Sequence, residues 1–169
     1  MKKIVTVALV GMLMVAGVSA KSNKYYDPCN NKVEWTSKEY KNNLKSFKKA
    51  LVETRAKLNK YEVMIADWSN VDDSDGVNNW REDIQSLANY YLYIVNDYEK
   101  CGPAQSDWQD ISVKQYEQAR ECLSLSSSLL QLDSITAGDY KRMLAMEREM
   151  TITNLQILER YYGALVAQQ

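Results

Sequence analysis

From residue 40 to residue 68 the chain sets Tyr40, Leu44, Phe47, Leu51, Thr54, Leu58, Tyr61, Ile65 and Trp68 at alternating spacings of four and three. That interval returns each side chain to the same face of a helix, and a helix with one apolar stripe must lay it against a neighbour. Thr36 and Glu39 form a capping-box pattern just ahead of the run, so the helix is expected to start there. Continued to Trp68, it would be roughly 48 Å long.

The pattern repeats. Trp80, Ile84, Leu87, Tyr91, Ile94, Tyr98 and Cys101 form a second seam, closed by Gly102-Pro103. Val113, Tyr116, Ala119, Leu123, Ser126 and Leu130 form a third, with a capping-box pattern at Ser112 to Gln115. A fourth helix, from about Asp139 to Ala167, carries two stripes. One holds Met143, Met146, Met150, Ile157, Tyr161 and Ala164; the other holds Leu144, Thr151, Leu155, Leu158, Tyr162 and Leu165. So wide an apolar face predicts contact with two neighbours or with another chain. No segment reads as a strand, because the short alternations lack bounding hairpin turns. The fold class is therefore all-α: an antiparallel bundle of about four helices with long, coiled-coil-like hairpins, spanning residues 37–169 as one domain.

Ahead of the bundle lie two further segments. Lys2 and Lys3, the apolar run Ile4 to Val18 and the small residues of Val18-Ser19-Ala20 have the form of an export signal. Cleavage is expected near Ala20, releasing a chain of about 149 residues into the periplasm or the medium. Residues 21–36 are expected to be an extended lead-in. No later stretch is apolar enough to span a bilayer.

The sequence contains no histidine. That excludes His-activated Ser or Cys nucleophiles and the usual zinc and haem sites. The mature chain has 19 basic and 22 acidic residues, which gives no general reason to bind nucleic acid. Ser37 to Ser69 is basic and Asn70 to Asp110 acidic, so the two segments are expected to pack as complementary neighbours, with weak attraction between exposed pairs.

Four features are candidate sites. In the acidic stretch after Trp68, Gly76 at position 6 of an EF-hand-like loop places Asp73, Asp75 and Glu82 at ligand positions 3, 5 and 12. Val71 at position 1 and Asn78 at position 8 break that pattern. The stretch therefore reads first as the reversal between two helices, with calcium binding as the alternative. Among the three cysteines, Cys29–Cys101 is the expected disulfide and Cys101–Cys122 its rival. The first pairing assumes that the first two helices form a hairpin. Met143, Met146 and Met150 share a face that suits a flexible core, or a soft metal such as Cu(I). Twelve tyrosines offer amphipathic contact area; Tyr90 and Tyr93, off the seam, and Tyr161 and Tyr162 are interface candidates.

The segment ITAGDYKRM, Ile135 to Met143, followed by LQILERYYGAL, Leu155 to Leu165, resembles the turn-and-helix segment of outer-membrane efflux proteins of the TolC-like family. Ile135, Thr136, Asp139, Tyr140, Leu155, Gln156, Leu158, Tyr161, Ala164 and Leu165 carry the likeness. It implies a coiled-coil hairpin, and an envelope export role, without the family's barrel.

With no catalytic constellation and no cofactor expected, the sequence predicts an exported, non-enzymatic protein that docks to another protein or to itself. A small-ligand or metal-binding bundle of the periplasm is the alternative.

Overall fold

A computed structural model describes residues 24–68, 77–103 and 108–169. The predicted export signal therefore lies outside the described residues. The elements are β1 (Tyr25–Asp27), β2 (Asn30–Trp35), α1 (Ser37–Ala66), α2 (Val77–Cys101), α3 (Gln109–Leu130) and α4 (Ala137–Val166). The chain is an all-α bundle preceded by a small antiparallel hairpin. No described helix is long and apolar enough to cross a membrane.

Capping chemistry fixes two helix starts. The Thr36 hydroxyl accepts from the Glu39 amide while the Glu39 carboxylate accepts from the Thr36 amide at 2.7 Å. Thr136 and Asp139 repeat the arrangement at α4. These bonds satisfy amides that a helix start leaves without partners. The capping box expected at Ser112 is not used: α3 begins at Gln109 after Trp108, and the Ser112 hydroxyl donates to the Gln109 carbonyl. Gly102 ends α2 with φ 74°, the left-handed geometry glycine tolerates best, and its amide donates to the Tyr98 carbonyl.

Packing departs from the simple hairpin expectation. The helices do run up, down, up, down, but α1 packs along α4, α2 along α3, and α3 along α4. No close α1–α2 packing is formed. Trp68, just past α1, and Trp80 of α2 both meet the Tyr140 ring of α4, at centroid distances of 6.0 and 5.3 Å. The basic α1 and α2, the helix that carries the described part of the acidic segment, are therefore not closely packed neighbours. Burial of α4's double stripe decides the arrangement: Met143, Leu144, Met150, Ile157, Leu158, Tyr161 and Leu165 are all buried, most of them in one or other of two core clusters. Apolar burial outweighs attraction between exposed charges, which is worth about 0–1 kcal/mol per pair.

The lead-in holds two strands where no segment of the sequence reads as one. β1 and β2 pair with a register irregularity after Tyr26. Long-range contacts hold them. The Gln168 side chain accepts from the Tyr26 amide and donates to the Tyr26 carbonyl, both at 2.7 Å, which occupies the outer edge of β1. Tyr25 stacks on Tyr40 with ring centroids 3.9 Å apart.

Candidate functional site

Among the described residues two carboxylates lie fully buried, and both are the kind of group that chemistry uses. Glu147 sits mid-way along α4 with no exposed surface. The Lys57 ammonium lies 2.5 Å from it, the Tyr61 hydroxyl donates to the same oxygen, and the Tyr91 hydroxyl donates to the other. Three helices thus meet at one side chain. Burial, and then the carboxylate itself, pushes the Tyr61 and Tyr91 phenols well above the usual tyrosine range, so both stay protonated donors. The arrangement is a satisfied polar knot inside the core, with Cys122, Met143 and Met150 buried in the same cluster. Glu147 has no exposed surface, and its knot ties three helices of the bundle together.

Asp27 is the second, at the end of β1. One oxygen accepts from the Cys29 amide at 2.8 Å and from the Tyr161 hydroxyl at 2.6 Å; the other has no protein partner. Burial raises its pKa, and those hydrogen bonds only partly offset the rise. The carboxyl ties the hairpin turn to α4.

The expected Cys29–Cys101 disulfide is not formed, nor is its rival: all three cysteines are free thiols. The geometric premise fails because α2 is not α1's neighbour. Cys29 packs at the α1–α4 end, beside the Tyr40, Trp108 and Tyr161 cluster, whereas Cys101 ends the helix that lies on α3. Burial pushes the Cys29 and Cys122 thiols up to about 12, which leaves them inert.

Of the four interface tyrosines, one is fully buried and two are part-buried. Tyr161 is fully buried, stacked on Phe47 and edge-on to Trp108. Tyr90 is drawn against the core and accepts from the Asn154 amide at 3.0 Å; Asn154 in turn accepts from Gln115 of α3. That three-helix bridge explains why an off-seam tyrosine turns inward. Tyr93 is exposed beside Leu92, and Tyr162 is half-buried.

Asp73 and Asp75 lie outside the described residues, and Glu82 is exposed on α2. Among the described residues no group of three Cys, Asp or Glu side chains could hold a metal. Met143 and Met150 are buried core members with Met146 packed beside them. A shallow open groove of about 540 Å³ runs between α3 and the start of α4, with Ser124, Ser128 and Leu132 among its walls and Arg142 at its rim. In the turn segment that resembles efflux proteins, Thr136 and Asp139 cap α4, Ile135 is buried, and the Tyr140 hydroxyl donates to Asp83 at 2.8 Å.

The surface of α1 is left as the candidate site. Of its apolar seam only Tyr40 and Leu51 are buried; Leu44, Phe47, Leu58, Tyr61 and Ile65 stay part-exposed. On its outer side Val52 and Val63 are 62% and 68% exposed. They belong to a second stripe: Lys38, Lys41, Lys45, Lys48, Val52, Ala56, Asn59 and Val63, all exposed and all three or four residues apart. The same periodicity that reveals the inner seam reveals this one, although its polar residues give no apolar signal.

No protein-family model matches the chain, and neither a curated protein nor a solved structure is significantly similar to it.

Proposed function

We propose that this chain is an exported, non-enzymatic protein that acts by docking, helix against helix, to another envelope or extracellular protein. Export rests on the basic start at Lys2-Lys3, the apolar run behind it and the small residues ending at Ala20. One observation carries the docking reading. α1 spans thirty residues and, among the described helices, packs mainly along α4, so its seam is only part-covered and two valines on its outer side face solvent. Val52, Ala56 and Val63 share one exposed face at the spacing a packed helix uses, and the docking reading assigns that face to a partner.

The test is affinity capture from the native envelope with two baits, the wild-type chain and Val52→Asp/Val63→Asp. The reading predicts a discrete partner, or a second copy of the chain, held by the wild type and lost by the variant. Equal recovery by both baits, or no specific recovery by either, would contradict it.

A further inference from the structure

The charges of α1 assign a chemistry to the partner, an inference that rests on the docking reading and deepens it. α1 carries eight basic and three acidic residues. Lys49 pairs with Glu53, Arg55 with Glu159 and Lys57 with Glu147. Lys38, Lys41, Lys45 and Lys48 make no ion pair among the described residues, and all are exposed. Their three- and four-residue spacing holds four ammonium groups on one face within about 15 Å. Helix α4, on which α1 lies, brings equal numbers of acidic and basic residues, and α2, which carries most of the described acidic segment, packs along α3. With a screening length of about 8 Å at physiological salt, distant carboxylates do not neutralise the stripe.

Beyond Lys48 the face continues in register as Val52, Ala56, Asn59 and Val63. A basic half and a small apolar half therefore share one line of about 38 Å. We propose that this outer face of α1 receives an amphipathic, acidic helix of a partner protein. Spacings of three and four are those that interdigitate with a second helix, and the valines and the alanine let that helix approach closely. The carboxylates flanking the partner's apolar stripe would meet Lys38 to Lys48, setting its direction and speeding encounter. A lipid surface fits less well, because the stripe lacks the Trp, Phe and Leu side chains that insert at a membrane interface. Phosphate-rich ligands fit less well too: every cation of the stripe is a lysine, with none of the forked geometry arginine brings to phosphate.

The experiment uses the whole mature chain and three probes. One is a four-heptad peptide with Ala and Leu at a and d and Glu at e and g. The second is the same peptide with Lys at e and g, and the third is phosphatidylglycerol vesicles. The acidic peptide should bind, the basic peptide and the vesicles should not, and Lys41→Glu/Lys45→Glu should weaken the peptide's binding about tenfold. Val52→Asn, which adds no charge, should weaken it with little dependence on salt. All three positions are exposed, and circular dichroism of the variants checks that the helices persist. No binding of the acidic peptide, binding that ignores these substitutions, or vesicle binding abolished by the double charge reversal would each overturn the assignment. A partner captured equally by wild type and Lys41→Glu/Lys45→Glu, but lost on Val52→Asp/Val63→Asp, would leave docking standing and remove only the acidic helix.

Discussion

At the scale of single residues, the two buried carboxylates behave in opposite ways. Glu147 is surrounded by a cation and two phenolic donors, so the cost of removing its charge from water is met locally. Lys57→Ala would strand that carboxylate and should cost about 2–3 kcal/mol in chemical denaturation, at the low end because Lys57 is a third exposed. Lys57→Met with Glu147→Gln should recover part of the loss, since a neutral amide removes the stranded charge while its oxygen still accepts from the phenols. Asp27 forms no ion pair among the described residues, and burial raises its pKa. The folded chain therefore holds that proton to higher pH than the unfolded chain does. Its stabilising contribution is complete below the ordinary carboxylate value of 3.8 and is lost as pH rises through the folded value. Asp27→Asn should flatten this part of the pH–stability curve, and its advantage over wild type should be larger at pH 7 than at pH 4. An unchanged difference between those two pH values would contradict the burial account. Spacing from Met143 and Met150 places Glu147 beside the apolar stripes of α4, but its partners are not local: Glu147 meets Lys57 across 90 positions, and Asp27 meets Tyr161 across 134.

Among elements, α1 and α4 are equal in length but unequal in burial. Truncating Met150 on α4 should cost about 2–5 kcal/mol, as for any fully buried large side chain. Leu58→Ala, at a half-buried position of α1, should cost clearly less, and parallel urea titrations would rank the two. Thr36→Ala removes the capping box and should cost about 1 kcal/mol. All four helices were legible because a 3.5-residue seam is a strong and purely local signal. The hairpin was not. β1 has three residues and the turn at Pro28-Cys29 has no glycine or Asn-Gly signature, while the Gln168 amide that seals its edge comes from the far end of the chain.

For the molecule as a whole, each seam announced that its helix needs a partner but not which one. Volume and burial chose α4 for α1, and the charge difference between neighbouring segments, worth little at exposed sites, misdirected the expectation. The expected Cys29–Cys101 bridge failed for the same reason, being built on the wrong helix pair. The actual pairing produces a bundle with one helix held on a single side, its outer face basic at one end and small and apolar at the other. Photo-crosslinking in the native envelope tests that claim most directly, with a crosslinking residue placed in turn at Val52 and Val63 on α1 and at Gln156, exposed on α4. The account predicts one discrete product from both α1 positions and none from Gln156. Products from Gln156 alone, or none from either valine, would contradict it.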